Sequence, residues 1–226
     1  PQSRARSANG GSDQTLLNGW VQLDAARTIA RAAGQDLDAL MQAARQPGFS
    51  AVPLGLAAST GFANTVRHYE SRNVVGLLPG TSRAAEHVLY TAHWDHLGRC
   101  TPNAAGDDIC NGAIDNATGI AGLVALAEAH AGAGATPRSH LFVAVTAEEQ
   151  GLLGSEYYAA NPLVPLSQTV GGVNMDAMYV MGEARDVVRI GGAKSELDGV
   201  LAAALAQTGH ALSPDPNPEA GRYYRS

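Results

Sequence analysis

The sequence of 226 residues has only two cysteines, no basic run and no apolar stretch near the roughly 20 residues that span a bilayer. Its net charge is −6. A negative chain without a basic cluster disfavours nucleic acid and anionic membrane surfaces as partners. We therefore expect no nucleic-acid partner and no membrane span. With 45% apolar residues, the chain can bury the core of one α/β domain of roughly 200 residues.

The two cysteines, Cys100 and Cys110, lie in one polar loop between residues 98 and 112. A disulfide there would stiffen the loop and indicate an oxidising compartment. Two free thiols are the alternative, and metal binding by the cysteines is disfavoured because the loop lacks a Cys-x-x-Cys pair. We favour the disulfide and expect a periplasmic or secreted protein.

Beyond residue 72, short apolar runs alternate with helical patterns. Strands are predicted at 73–80, 88–92, 140–145, 170–175 and 187–190, and helices at 118–130, 152–160 and 195–208. This alternation predicts an α/β fold with a mixed, largely parallel central sheet and helices on both faces. In such sheets, functional sites form at the carboxyl ends of the strands.

The N-terminal segment, residues 1–72, has a different pattern. Its predicted elements are a polar and flexible stretch at 1–18, helices at 23–33 and 36–44, and strands at 51–57 and 62–69. Asp36 is the predicted N-cap of the second helix. We therefore divide the chain into this segment and a core at 73–226.

Four clusters of acidic or imidazole residues directly follow apolar runs or glycine-rich turns. They are His93–His96, Asp115–Asn116, Glu148–Glu149 and Asn174–Asp176. Charges that are buried without compensation cost several kcal/mol, so such groups are usually paired or bound to a metal ion. Because the carboxyl ends of parallel strands converge, we expect the four clusters to meet.

Each cluster taken singly has an ordinary structural explanation. His93 and Asp95 could be a hydrogen-bonded pair in a polar loop, and Asp115 or Asn116 could cap the helix near Thr118. The two glutamates could occupy the first turn of the next helix, where its dipole favours them, and the aspartate at 176 could start a turn. Taken together, one histidine, three carboxylates and a spare glutamate favour a metal site.

These motifs resemble peptidase family M28, zinc metallopeptidases that include bacterial dizinc aminopeptidases. The matching segments are 91–98, 111–119, 145–155 and 174–176, and their order and spacing match throughout residues 73–226. The resemblance implies a phosphorylase/hydrolase-like zinc exopeptidase fold with two zinc ions (Zn2+) in the complete site. It also implies an aminopeptidase that hydrolyses the N-terminal bond of a peptide substrate with a free N-terminus.

The resemblance also assigns the metal ligands. Asp115 would bridge the two zinc ions, His93 and Asp176 would complete the protein ligands of one, and Glu149 would bind the other. The peptide bond after Asp115 would be cis. Asp95 would orient the imidazole of His93, as outer carboxylates do in many metal sites.

Two further roles concern catalysis. Glu148 would be the general base and then the acid that protonates the leaving amine. Tyr223, or alternatively Tyr224, would stabilise the tetrahedral oxyanion.

A fifth ligand, a histidine, would follow the motif at 221–226, so the resemblance implies that the core is C-terminally incomplete. Residues 1–72 resemble the tail of a protease-associated domain. We expect surface or core packing for the other histidines, which are His68, His87, His96, His130, His140 and His210.

Other functions fit the same scaffold. A glutaminyl cyclase or a carboxypeptidase would use a similar metal site. A non-catalytic M28-like binding module would keep the fold without the activity.

Overall fold

The computed structural model describes residues 19–63, 65–192 and 195–218. The chain forms two compact units, one ending at Tyr69 and the other beginning at Glu70. The predicted flexible stretch at 1–18 lies outside the described residues. The resemblance of residues 1–72 to the tail of a protease-associated domain stays a prediction.

The first unit contains two short helices, α1 (Leu23–Ala32) and α2 (Leu37–Ala43). The carboxylate of Asp36 accepts hydrogen bonds from the amides of Asp38 and Ala39, at 2.9 and 3.3 Å, which confirms it as the N-cap of α2.

The strands predicted at 51–57 and 62–69 are wrong. The described residues of both segments have no regular secondary structure, and all of them are exposed. An alternating apolar pattern stabilises a strand only when one face is buried against a neighbour, and neither segment buries such a face.

The second unit holds the predicted α/β core. Its elements in chain order are β1 (Val74–Leu78), β2 (Arg83–His93), β3 (Gly98–Arg99), β4 (Ile109–Cys110), α3 (Ala117–Gly132), β5 (Arg138–Val145), α4 (Leu153–Ala160), a 3-10 turn (Leu166–Gln168), β6 (Thr169–Asn174), β7 (Asp186–Arg189), α5 (Leu197–Thr208) and β8 (Ala211–Pro214). The main sheet has the order β1-β5-β2-β6. β1 is antiparallel to β5, while β5, β2 and β6 run parallel. The mixed, largely parallel sheet is therefore confirmed.

The central strand β5 is buried on both faces, as its nearly continuous apolar run predicts. Successive side chains of a strand point to opposite faces. Leu141 and Val143 pack with Tyr158 of α4 on one face. Phe142 packs with Leu123 of α3 on the other face. Helices therefore cover both faces of the sheet.

The register of the parallel strands brings their carboxyl ends to one edge. His93, the last residue of β2, is opposite Val145, the last residue of β5. On the other side of β2, Thr91 is opposite Asn174, which ends β6. Three of the acidic clusters therefore begin side by side.

A small hairpin projects from the same end of the sheet. β3 and β4 pair antiparallel, and a disulfide joins Cys100 to Cys110 with their Cα atoms 5.9 Å apart. The predicted disulfide is confirmed. Among the helices of the described ranges, none has the length and apolarity required to cross a membrane.

A cluster of aromatic and imidazole rings lies where α3 packs on the sheet. The rings of His130 and His140 stack with their centroids 3.9 Å apart. Thr136 bonds Nε2 of His140 through its hydroxyl, at 2.9 Å, and Tyr90 bonds His130 at 3.2 Å. Burial lowers the pKa of His140, and the neighbouring His130 lowers it further. The fold therefore holds this ring neutral.

This cluster predicts a pH-dependent loss of stability. The unfolded chain takes up a proton at His140 near its ordinary pKa of about 6.5, whereas the folded chain resists protonation until lower pH. The free energy of unfolding should therefore fall as the pH drops below about 6.5. His140→Gln, a neutral replacement, should reduce the difference in stability between pH 8 and pH 5.5, measured by urea unfolding. His68→Gln, on an exposed position, is the control and should leave that difference unchanged.

Candidate metal centre

The site is built around the buried imidazole of His93. Its Nδ1 lies 3.0 Å from the backbone carbonyl of Asp95. Because a carbonyl oxygen can only accept, Nδ1 carries the proton and Nε2 of the neutral ring has a lone pair. Nε2 is buried and has no hydrogen-bond partner among the described residues, and it lies 3.1 Å from Asp115 Oδ1 and 3.4 Å from Asp176 Oδ1. A lone pair that faces two carboxylates is stabilised by a cation between them.

A second group of possible ligands adjoins the first. Nδ1 of His96 lies 2.5 Å from Oε1 of Glu149, and both atoms lie close to the carboxylate of Asp115. In each group, the three ligand atoms lie within 4.8 Å of one another. Asp115 belongs to both groups, so one carboxylate could hold two cations.

The donor set fits zinc, which binds imidazole nitrogen and carboxylate oxygen in tetrahedral sites. Two ligand atoms about 2.0–2.1 Å from a tetrahedral zinc ion lie roughly 3.3 Å apart. The distances of 3.1 and 3.4 Å from His93 Nε2 to its two carboxylates match this spacing.

Asp95 acts through a contact that the sequence does not reveal. We predicted that its carboxylate orients His93, but the backbone carbonyl of Asp95 makes that hydrogen bond, and the carboxylate Oδ1 is 3.7 Å from Nδ1. The carboxylate instead accepts hydrogen bonds from the backbone amides of Glu148 and Glu149, at 3.1 and 3.3 Å. One residue therefore fixes both the imidazole and the turn that carries the two glutamates.

That turn separates the two glutamates from the following helix. α4 begins only at Leu153, and the carbonyl of Glu148 accepts hydrogen bonds from the amides of Gly151 and Leu152. The alternative explanation, in which both glutamates occupy the first turn of a helix, does not match this geometry. Glu149 belongs to the second ligand group, whereas Glu148 belongs to neither and lies with Oε2 3.9 Å from His93 Nε2.

The surroundings of Glu148 and His93 shift the pKa of both groups. Burial raises the pKa of its carboxyl, and the nearby Asp176 and Glu149 add to that rise, while His93 opposes it. Burial alone would lower the pKa of the His93 ring, but the carboxylates around it, with Asp176 foremost, outweigh burial and raise it. The ring thus sits in a strongly negative environment.

Asn116 holds the ends of α3 and β6 together. Its side-chain oxygen accepts from Gly119 N, at 3.0 Å, which makes Asn116 rather than Asp115 the N-cap of α3, and also from Ala177 N, at 3.2 Å. Its amide donates to the carbonyl of Met175, at 2.9 Å. These bonds flank Asp115 and Asp176 in the chain, and the peptide bond from Asp115 to Asn116 is cis. A single buried amide therefore fixes the spacing of two ligand candidates.

Sequence reasoning missed His96 as a member of the site. We expected a packing role, yet its ring lies in the second ligand group. The available signal was its spacing of three residues from His93. Tyr223 and Tyr224 lie outside the described residues, so an oxyanion role for either stays a prediction.

A sequence model described as Peptidase family M28 matches residues 73–226. No curated protein matches the chain.

Solved structures with a similar fold include a Zn-dependent exopeptidase from Parabacteroides distasonis, a zinc aminopeptidase from Bacillus subtilis and a glutaminyl cyclase from Bacteroides thetaiotaomicron. Their identities to this chain are 21%, 22% and 19%, with TM-scores of 0.49, 0.49 and 0.48. The matches cover 63%, 66% and 63% of this chain and 56%, 37% and 56% of those structures. The chain thus spans only 37% to 56% of their length.

The contacts of Asp95 predict the effect of removing its charge. In Asp95→Asn, one oxygen becomes an amide donor that faces a backbone N–H, so one hydrogen bond to the glutamate turn is lost. We expect zinc affinity to fall about 10–100-fold, the usual effect of losing a partner behind the ligands. Chelator competition measures this. Asp24→Asn makes the same change on a side chain that is 94% exposed and should leave affinity unchanged. Equal affinities in the two variants would contradict the role of Asp95.

Proposed function

The chain belongs to peptidase family M28, and from this premise we propose that it is a zinc-dependent aminopeptidase with a dizinc site. The observation that carries the proposal is the pair of ligand groups that share Asp115 beside the half-buried glutamate Glu148. In this proposal His93 and Asp176 would hold one zinc ion, Glu149 would hold the other, and Asp115 would contribute to both.

When bound, zinc supplies Lewis acidity, which polarises the scissile carbonyl and lowers the pKa of a bound water to about 7. Glu148 is the residue proposed to move the proton. It lies beside His93 without belonging to either ligand group, and its side chain is only 17% exposed. It would accept a proton from the attacking water on a carboxylate oxygen and then donate that proton to the leaving amine.

The charge of the site supports a substrate with a free amino group. Five carboxylates surround it, and none pairs with a Lys or Arg in the part of the chain that the structure describes; they belong to Asp95, Asp115, Glu148, Glu149 and Asp176. Two zinc ions would leave one negative charge uncompensated, which favours the ammonium of a peptide N-terminus. A carboxypeptidase instead needs a cationic group for the terminal carboxylate of its substrate.

A groove of about 390 Å³ adjoins the site along the disulfide hairpin. Its lining includes the side chains of Trp94, His96 and Ile109. We propose that this groove receives the N-terminal side chain of the substrate. The disulfide also supports the proposal of a periplasmic or secreted enzyme, because such bonds persist in oxidising compartments.

The role of Glu148 can be tested by removing its proton-accepting group. We expect Glu148→Gln to lower kcat by about 10²–10⁴-fold, the usual contribution of a general acid-base residue, while zinc content stays unchanged. Turnover of an aminoacyl anilide and metal analysis measure the two quantities. Glu156→Gln, on an exposed position of α4, should keep both at the level of the unmodified chain. Unimpaired turnover in Glu148→Gln would refute the assignment.

Substrate profiling tests the reaction class. We expect cleavage of an aminoacyl anilide with a free amine and little or none of the N-acetylated analogue, because acetylation removes the ammonium that the carboxylates attract. Preferred release of a C-terminal residue from N-blocked peptides would indicate a carboxypeptidase. Cyclisation of an N-terminal glutaminyl peptide would indicate a glutaminyl cyclase. A folded chain without zinc and without hydrolysis would indicate a binding module.

A further inference from the structure

We propose that Asn73 is a positioning residue that sets where Glu148 and Glu149 lie. It directly precedes β1, and its side-chain amide bridges the two ends of the segment that carries both glutamates. The consequence of this placement for catalysis rests on the proposed function. Its effect on the turn itself does not, so the two can be tested separately.

The amide of Asn73 makes one hydrogen bond to each end of that segment. Its Oδ1 accepts from the backbone N–H of Thr146, at 3.0 Å, and its Nδ2 donates to the backbone carbonyl of Gly154, at 2.8 Å. The first partner directly follows β5, and the second lies in the first turn of α4. Since one partner is a donor and the other an acceptor, only an amide in this orientation satisfies both.

A close approach of α4 to the end of β5 brings the two partners within reach of one side chain. A Cβ atom at Gly154 would lie 2.1 Å from the carbonyl oxygen of Thr146 and 2.7 Å from Oδ1 of Asn73. Gly154 is buried, and the helix can lie this near to the strand end because the residue has no side chain. The turn therefore begins and ends at one packed contact.

The backbone of the turn needs contacts from outside to keep its shape. Ala147 and Leu152 have φ of +54° and +64°, in the left-handed region that residues other than glycine rarely adopt. Such conformations persist only where the surrounding structure holds them. Ala147 directly precedes Glu148, so the contacts that hold this backbone also decide where the glutamates lie.

Asn73 and Asp95 hold different parts of the same turn. The carboxylate of Asp95 accepts hydrogen bonds from the amides of Glu148 and Glu149 in the middle of the turn. Asn73 instead bonds the residues at either end. It therefore acts on the glutamates through the backbone that joins them, and not by touching their side chains.

The two preceding residues anchor this side chain to both strand ends. The hydroxyl of Ser71 lies 2.6 Å from the hydroxyl of Thr146, after β5. The indole N–H of Trp94, which follows β2, donates to the backbone carbonyl of Arg72, at 3.1 Å. Residues 71–73 therefore connect the ends of β2 and β5, where two of the acidic clusters begin.

The test compares two substitutions of Asn73 in the full 226-residue chain. Asn73→Leu removes both hydrogen bonds and keeps a side chain of similar size. Asn73→Asp keeps the shape and the acceptor for Thr146, but a second oxygen then faces the carbonyl of Gly154. The matched control is Asn161→Leu, which removes a side-chain hydrogen bond to a backbone carbonyl at the other end of α4.

Two kinds of measurement are made on each chain in the same zinc-containing buffer. Amide hydrogen exchange resolved by residue reports how often the turn opens, and the amides of β5 report whether the chain is folded. Turnover of an aminoacyl anilide gives kcat and KM.

In Asn73→Leu, we expect faster exchange at the amides of Glu148 and Glu149, because the turn opens more often once its ends are released. We expect kcat to fall about 10–100-fold, the usual effect of losing a residue that supports a site from behind. KM should stay unchanged, because Asn73 does not line the proposed substrate groove. Asn73→Asp should show the same changes despite its shape, and Asn161→Leu should show none.

Faster exchange confined to Thr146, with the two glutamate amides unchanged, would overturn the inference, because the lost bond would then act only locally. An unchanged kcat in Asn73→Leu would also overturn it, as would a rise in KM alone. If β5 loses its protection in Asn73→Leu, Asn73→Asp decides by the same criteria. The proposed function fails separately: an unmodified chain that hydrolyses no peptide would refute the aminopeptidase, and the exchange rates would still decide the role of Asn73.

Discussion

The lone pair on Nε2 of His93 is the constraint on which the rest of the site depends. The hydrogen bond from Nδ1 to the carbonyl of Asp95 fixes the tautomer of the neutral ring. The lone pair of Nε2 therefore faces the carboxylates of Asp115 and Asp176, which are themselves hydrogen-bond acceptors. In a buried setting, this arrangement is unfavourable without a cation. Either a proton on Nε2 or a metal cation satisfies this arrangement, and the donor atoms match the preferences of zinc.

Backbone contacts, more than side-chain pairs, maintain this arrangement. The carboxylate of Asp95 accepts hydrogen bonds from the amides of Glu148 and Glu149. The backbone carbonyl of the same residue accepts a hydrogen bond from Nδ1 of His93. Asn116 has a similar role near the end of β6. Its side chain joins the start of α3 to Met175 and Ala177, which flank Asp176. Candidate ligands from four separate segments are thus held in place by two polar residues, each of which connects two of these segments.

This arrangement also explains how two adjacent glutamates can have different surroundings. The turn at 146–152 closes on the carbonyl of Glu148 before α4 begins, so the two side chains diverge. Glu149 points toward His96 and Asp115, whereas Glu148 stays near His93 with a raised pKa. A carboxyl group whose pKa is raised by burial suits the proton transfer that the proposed reaction requires.

The sequence by itself determined the four strands of the main sheet, the cap at Asp36, the disulfide and the positions of the acidic clusters, because periodicity, capping and strand-end placement are local properties. Burial decided what local pattern could not: residues 51–57 and 62–69 alternate like strands but bury no face. Only the tertiary structure revealed the proximity of His96 to Glu149 and the partners of Asp95. Those contacts depend on the register of β2 against β5 and on the hairpin that closes behind the ring, and both join residues far apart in the chain.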